Sequence, residues 1–239
     1  MSKTLNFGID RDDLCDRLGG GLPKGSLIVI EGRFGAGKSI LCERMTYGLL
    51  DHEHTVSYVS TERTTAGFLK QMESLEYDLQ AALMSERLVF IPVHPLLGAR
   101  APRDELLERI AKARRMYGKD VVVFDTFSKF LSDHLAANGD NYAAMEQIEA
   151  VLYLFKRLAS QGRTIVLTFE TGQVNDAVAR TFKEAADVYL EIKMEQTGAS
   201  TNRQIVVHRM SRAAGRFGEV IGFRVEPGLG IVIEIKSVV

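Results

Sequence analysis

The residues best suited to chemistry stand together near the N-terminus. Gly32-Arg33-Phe34-Gly35-Ala36-Gly37-Lys38-Ser39 fits the pattern G-x-x-x-x-G-K-S/T. In such a run the glycines let the backbone wrap with its N–H groups turned toward phosphate oxygens, and a helix opening at Lys38 adds the positive end of its dipole. Lys38 would reach the β- and γ-phosphates of a nucleotide, and the Ser39 hydroxyl would ligate Mg²⁺. The expected contact run is Arg33, Phe34, Gly35, Ala36, Gly37, Lys38, Ser39 and Ile40. A dinucleotide fingerprint fails here, because Gly35-Ala36-Gly37-Lys38-Ser39-Ile40 lacks the third glycine or alanine.

Three carboxylates could complete such a site. Val121-Val122-Val123-Phe124-Asp125 is an apolar strand ending in an acid, and in a parallel sheet that acid lies on the same edge as the phosphate loop. Asp125 is expected to hold Mg²⁺ through water; capping the helical-looking stretch that follows is its alternative role. The next residue is Thr126 rather than a glutamate, so a catalytic base must come from elsewhere. Glu62, at the end of Tyr58-Val59-Ser60-Thr61, could orient and polarise the water that attacks a γ-phosphate. Glu170 ends the run from Thr164 to Phe169 and could read the γ-phosphate together with Thr168, or it could be a solvated loop carboxylate.

These groups need a sheet to hold them, and the sequence supplies one. Strands are predicted at Ser26–Glu31, Thr55–Thr61, Leu88–Val93, Asp120–Phe124 and Thr164–Phe169. Helical stretches alternate with them: Ser39–Leu50 with Leu41, Met45 and Leu49 on one stripe, Thr65–Leu75, Arg103 to about Tyr117, and Asn141–Ser160. The last has Met145, Ile148, Leu152, Phe155 and Leu158 on one face, Asp140 as expected N-cap and Gly162 beyond its end. Glu105/Arg109 and Glu108/Lys112 read as i,i+4 pairs on a solvated helix face. From Asp187 onward four further runs, at Val188–Ile192, Gln204–Val207, Val220–Val225 and Gly230–Ile235, read as a β-meander on the same sheet. The polar stretches Asp133–Asn141 and Met194–Asn202 are expected to be loops beside the site. The fold class is therefore α/β: a largely parallel central sheet flanked by helices, with a C-terminal antiparallel β-meander, in one domain over residues 1–239.

Composition narrows the function classes. The chain has 239 residues, 46% hydrophobic and 26% charged, with 30 Lys+Arg against 31 Asp+Glu. A formal net charge of −1 disfavours non-specific binding to duplex DNA or an anionic membrane. Cys15 and Cys42 show no disulfide or zinc spacing, which points to a reducing cytoplasm. The first residues lack an apolar signal core and no run approaches the roughly 18 apolar residues of a membrane span, so any work at a membrane would be peripheral. Of 21 glycines, seven fall between Gly19 and Gly37, in the phosphate loop and its lead-in.

Leu18-Gly19-Gly20-Gly21-Leu22-Pro23-Lys24-Gly25-Ser26-Leu27 entering the phosphate loop resembles the start of the RecA/RadA and KaiC-like ATPase domain. Glu31–Ser39, Tyr58–Glu62 and Val123-Phe124-Asp125-Thr126-Phe127-Ser128 are similar to the FlaH (ArlH) family of archaellum accessory ATP-binding proteins within that superfamily. The resemblance implies a RecA/KaiC-like core, ATP and Mg²⁺ as cofactors, weak hydrolysis and a ring-like homo-oligomer such as a hexamer. It implies as partners the motor ATPase FlaI and a FlaX-type or equivalent scaffold below the membrane platform FlaJ. Glu62 gains weight as the base; the family often has two adjacent glutamates there, whereas this chain has Glu62-Arg63. The resemblance also implies a basic residue reaching ATP in the neighbouring subunit, with Arg209 the nearest match and Arg212 the second, and makes self-phosphorylation at Ser60 or Thr61 conceivable. The leading expectation is a nucleotide-dependent regulatory ATPase of the archaellum motor. The alternatives are a RecA/RadA-like DNA-dependent ATPase and a KaiC-like autophosphorylating signalling ATPase. Against DNA stand the near-neutral charge, the lack of room in residues 1–25 for a DNA-binding domain, and loops after Asp125 and Glu170 that are not basic. Arg203, Arg209, Arg212 and Arg216 form the one basic group that could touch phosphate, and no nucleic acid is expected.

Overall fold

A nine-stranded sheet carries the site. The computed structural model describes residues 3–93, 106–139, 141–197, 200–211, 218–226 and 228–234. The elements in chain order are β1 (Thr4–Leu5), α1 (Leu14–Arg17), β2 (Leu22–Pro23), β3 (Leu27–Gly32), α2 (Lys38–Asp51), β4 (Val56–Ser60), α3 (Thr65–Ser74), α4 (Gln80–Met84) and β5 (Leu88–Pro92). There follow α5 (Leu106–Lys112), a 3₁₀ turn at Met116–Gly118, β6 (Val121–Asp125), α6 (Phe127–Asn138), α7 (Tyr142–Ser160), β7 (Thr164–Glu170) and α8 (Asp176–Ala185). β8 (Val188–Thr197), β9 (Ser200–Met210), β10 (Val220–Glu226) and β11 (Gly230–Glu234) complete the chain.

The strand order is β11-β10-β9-β8-β3-β7-β6-β4-β5, with β1 and β2 forming a separate ribbon. Every pairing from β8 to β5 is parallel, and β8–β9, β9–β10 and β10–β11 are antiparallel. Parallel strands buried on both faces need apolar residues at odd and even positions alike. β3 shows this directly: Leu27 and Val29 join the core beneath α5, α6, α7 and α8, while Ile28 and Ile30 join the core beneath α2, α3 and α4. A chain of aromatic contacts through Phe124, Phe127, Phe155, Phe169 and Phe182 fixes α6, α7 and α8 on the first of these faces.

Four expectations need correction. The stretch from Asp133 to Asn138 is the last part of α6 rather than a loop, because Phe127, Phe130, Leu131 and His134 keep one helical face buried. Met194–Asn202 is not a loop over its described part either: Glu195↔Asn202 and Thr197↔Ser200 continue the β8–β9 ladder, and residues 198–199 lie outside the described residues. The helix expected to run from Arg103 to Tyr117 is interrupted, with α5 ending at Lys112 and a separate 3₁₀ turn at Met116–Gly118; Arg103 and Glu105 lie outside the described residues, and the Glu108/Lys112 pair is present. The N-cap of α7 is Asn141, whose side chain accepts from the Ala144 amide, and Asp140 lies outside the described residues. The far end of α7 behaves as expected: at Gly162 (φ 89°) the amide donates to Ala159 O, and that of Arg163 donates to Leu158 O, a left-handed cap that stops the helix.

Candidate functional site

The phosphate loop leaves the C-terminal end of β3 at the centre of the sheet, beside β7 and β8. Gly37, the residue before α2, has φ 104°, and a β-carbon there would lie 3.4 Å from the Phe223 ring and 3.6 Å from Arg203 Cδ. Glycine is favoured there by the left-handed backbone, while the β9 and β10 side chains lie at ordinary contact distance. The α2 N-terminus carries no side-chain cap, which leaves its amides directed into the loop. Lys38 is buried and donates from Nζ to the carbonyl oxygens of Gly32 and Arg33, both at 2.9 Å. Burial pushes the Lys38 ammonium below its ordinary range, and the negative charges of Glu170, Asp125 and Glu62 pull it back up. Phe34 stands 76% exposed at the loop tip.

Asp125 ends β6 and is almost wholly buried. Ser39 Oγ donates to its Oδ1 at 2.9 Å, Thr168 Oγ1 to Oδ1 at 3.3 Å and Tyr58 OH to Oδ2 at 3.1 Å. Burial pushes the Asp125 carboxyl up; the Ser39 hydrogen bond opposes this, the Glu62 charge adds to it, and Tyr58 and Arg63 oppose it. A hydroxyl and a carboxylate in contact form the hard-oxygen pair that Mg²⁺ accepts when phosphates and water supply its other ligands. Among the described residues no cluster of three or more His, Cys, Asp or Glu forms a metal cage.

Thr126 adopts φ 63°, a left-handed conformation uncommon outside glycine. It places the Thr126 amide 2.5 Å from Thr168 Oγ1 and lets Thr126 Oγ1 donate to Glu62 Oε1 at 3.0 Å. Strained backbone of this kind concentrates at functional sites. Ser128 Oγ accepts from the Glu170 amide at 2.9 Å, and Glu170 closes the opposite side of the cavity. The cavity holds about 190 Å³ and is lined by Phe34, Gly35, Gly37, Lys38, Ser39, Ile40, Glu62, Arg63, Thr126 and Glu170. The structure therefore brings together Lys38, Ser39, Asp125, Glu62, Thr168 and Glu170. Ser60 is buried, with its hydroxyl accepting from the Glu62 and Arg63 amides, and Thr61 Oγ1 donates to Asp125 O at 3.4 Å.

Arg209, expected to act on the nucleotide of a neighbouring subunit, lies away from this chain's own phosphate loop. It pairs with Tyr189, level with Val29, whereas the loop leaves the sheet after Gly32, level with Ile192 and Ile205. Its Nη1 donates to the carbonyl oxygens of Lys183, Glu184 and Ala186, tying down the end of α8. Arg212 and Arg216 lie outside the described residues. Of that basic C-terminal group, Arg203 is the described member beside the phosphate loop, and its Nε is buried with no hydrogen-bond partner among the described residues. Its place at the start of the β9 ladder, opposite Phe223, is set by strand register, and only its membership of the basic C-terminal group marked it in sequence.

Behind the cavity lies a group that sequence reasoning missed. Glu43, one helical turn after Ser39, is fully buried, and neither oxygen accepts a hydrogen bond among the described residues. Arg63 Nε lies 3.5 Å from its Oε1. Burial pushes the Glu43 carboxyl up to about 8, against the pull of Arg63. With an ordinary value of 4.5 in the unfolded chain, the folded state holds the extra proton between these limits. Stability present below about pH 4.5 is expected to be lost as pH rises toward 8, by up to about 3–5 kcal/mol. Urea denaturation from pH 5 to 9 checks this: the wild-type midpoint falls with pH, and Glu43→Gln flattens the slope.

The whole constellation sits on a chain that matches the family described as "ATPase: KaiC" over residues 7–237. The archaeal flagellar ATP-binding protein FlaH of Methanocaldococcus jannaschii is 35% identical over 238 residues, covering 100% of this chain and 99% of that protein. The chain belongs to the FlaH family of KaiC-like ATPases. FlaH of Methanococcus voltae is 36% identical, with 99% of each chain covered. The crystal structure of the flagellar accessory protein FlaH from M. jannaschii superposes with a TM-score of 0.87 at 34% identity, over 97% of this chain and 99% of that one. A KaiC-like protein from Pyrococcus horikoshii, at 15% identity and a TM-score of 0.75, shares the fold. The RecA/KaiC-like core with its C-terminal antiparallel strands is thus the FlaH architecture. Among the described residues no helix is long and apolar enough to cross a membrane.

Proposed function

We propose that this chain binds ATP with Mg²⁺ and acts as a nucleotide-dependent regulatory component of the archaellum motor. The observation that carries the reading is the buried Asp125 bonded to Ser39 at the mouth of the phosphate loop, in a chain matching FlaH along its full length. Mg²⁺ adds Lewis-acid stabilisation of phosphate charge when it is bound; Ser39 and Asp125 are the residues that would hold it. The loop amides and Lys38 take the phosphates, and Arg33, Phe34, Ala36 and Ile40 flank them. Glu62, oriented by the Thr126 hydroxyl, is the base for a slow hydrolysis, with Glu170 in the cavity wall and Thr168 buried behind it against Asp125. No second carboxylate follows Glu62, which fits a switch better than a fast enzyme.

The switch is a difference in partner affinity between nucleotide states. Glu62, Thr126 and Glu170 lie at strand ends or on the turns after them, where bound phosphate can order the chain. The partners in this reading are a FlaI-type motor ATPase and a FlaX-type scaffold near the FlaJ platform, with subunits assembled as a homo-oligomeric ring, peripheral to the membrane. Size-exclusion of the purified chain with a FlaI-type ATPase tests it. A complex that forms with ATP·Mg²⁺ and dissolves without it is expected. A complex of equal strength in both conditions, or retained by Asp125→Asn that no longer binds ATP, contradicts the switch.

A further inference from the structure

The cavity wall contains two cations, and the phosphate-loop motif accounts for only one. Lys38 belongs to the loop; Arg63 comes from the turn after β4, next to Glu62. Three features make its position specific. First, Arg63 Nη1 donates to Gln71 Oε1 of α3 at 3.2 Å, while Nε faces Glu43 of α2 at 3.5 Å, so the guanidinium bridges two helices at the edge of the cavity. Its remaining donors have no hydrogen-bond partner among the described residues. Second, the side chain is 28% exposed, against 0% for Glu43, so the acid lies behind the arginine and not between it and the cavity. Third, Glu43 forms no hydrogen bond with the guanidinium, and burial favours its neutral form at neutral pH, which leaves the Arg63 charge largely uncancelled.

The opposite charges around the cavity are Glu62, Glu170 and Asp125. A γ-phosphate entering between Glu62 and Glu170 brings further negative charge into a ring of carboxylates, where a guanidinium adds to the lysine of the loop and to the Mg²⁺ that Ser39 and Asp125 would hold. A diphosphate, ending at the loop, brings no such charge there. We propose that Arg63 is the guanidinium that reads the terminal phosphate, and that it sets the preference of this site for nucleoside triphosphates over diphosphates. The inference rests on the nucleotide-site reading above. The planar fork of arginine suits phosphate oxygens, and a charge-assisted hydrogen bond of this kind corresponds to about 10- to 100-fold in affinity.

Calorimetric titration of the full chain with a non-hydrolysable ATP analogue and with ADP, both with Mg²⁺, tests the proposal. Arg63→Gln is expected to weaken the triphosphate analogue by about 10- to 100-fold while ADP affinity stays essentially unchanged, which also reports an intact fold. Arg63→Lys keeps the charge beside Glu43 and is expected to give a smaller loss of the same kind. It carries the test if the glutamine variant does not fold. Equal losses for both ligands, or no loss for either, overturn the role of Arg63 while leaving the nucleotide site standing. A wild-type chain that binds neither ligand overturns the site and the inference together.

Discussion

Lys38→Ala is expected to reduce ATP affinity by about 100-fold or more, because charge-assisted bonds to phosphate oxygens are lost together. Equilibrium titration with a fluorescent ATP analogue measures it. The wild-type ammonium is already desolvated and aimed along the inner face of the loop, where it bonds the carbonyl oxygens of Gly32 and Arg33. Little further desolvation accompanies its transfer to a phosphate, so the wild-type interaction is preorganised. Alanine also removes one of two donors from each of those carbonyls, which keep the Thr171 and Ala36 amides, and a modest fall in thermal stability should accompany the loss of binding. If nucleotide binding survives at near wild-type strength, the phosphate loop is not the ligand site.

The largest stability effect is expected at a distance from the nucleotide. Arg44 of α2 is fully buried and makes a bidentate bond with Asp12, Nε to Oδ2 at 2.7 Å and Nη2 to Oδ1 at 2.8 Å, while Nη1 donates to Phe7 O at 2.8 Å. Gly48 lies next to the same carbonyl: a β-carbon there would come within 2.0 Å of Phe7 O. Together these residues seat the N-terminal segment against the helix that begins at the phosphate loop. Arg44→Ala strands the Asp12 carboxylate in a buried place and is expected to cost about 3–5 kcal/mol in chemical denaturation. Replacing Arg44 and Asp12 together by apolar residues of similar volume should recover much of that loss. A single variant that costs under about 1 kcal/mol would mean that the pair is solvated in solution.

Which parts of this architecture were legible in sequence follows from the range of the interactions. The β3, phosphate loop and α2 unit is encoded locally, by a continuous apolar run, glycines at fixed offsets and an i,i+4 stripe. Asp125 was readable for the same reason, as the acid ending an apolar strand. The helix α8 was missed, although Asn175 before it and the Val178/Phe182 spacing are local signals for an N-cap and a buried stripe; the polar, glycine-containing approach from Thr171 to Asp176 resembled a loop. The β8–β9 ladder runs on past the β10 pairing, which reaches Arg203, and its polar sequence there holds no apolar alternation to signal a strand. The N-terminal ribbon of β1 and β2 has two residues per strand, too few for any period.

The site divides in the same way. Glu62, Asp125, Thr168 and Glu170 sit at or just past strand ends on one sheet edge, Lys38 and Ser39 open α2 from the same edge, and alternation of strand and helix was enough to gather them. Tyr58 on Asp125, Glu43 behind Arg63, and Arg203 against Gly37 join residues 67, 20 and 166 positions apart, set by packing and register and by no local pattern. The backbone of Thr126 is a further case: nothing in Asp125-Thr126-Phe127 announces a left-handed threonine, yet it holds Glu62 in place.

In the proposed function, ATP·Mg²⁺ and the motor partner are coupled through this chain. Coupling is reciprocal: if nucleotide tightens the partner, the partner must tighten nucleotide by the same factor. The direct measurement is the dissociation constant of a non-hydrolysable ATP analogue for the chain, alone and with a saturating FlaI-type ATPase whose own nucleotide site has been inactivated. A tightening of about 5- to 150-fold, lost in Asp125→Asn, is expected. An affinity unchanged by the partner would contradict the switch, whatever the strength of nucleotide binding itself.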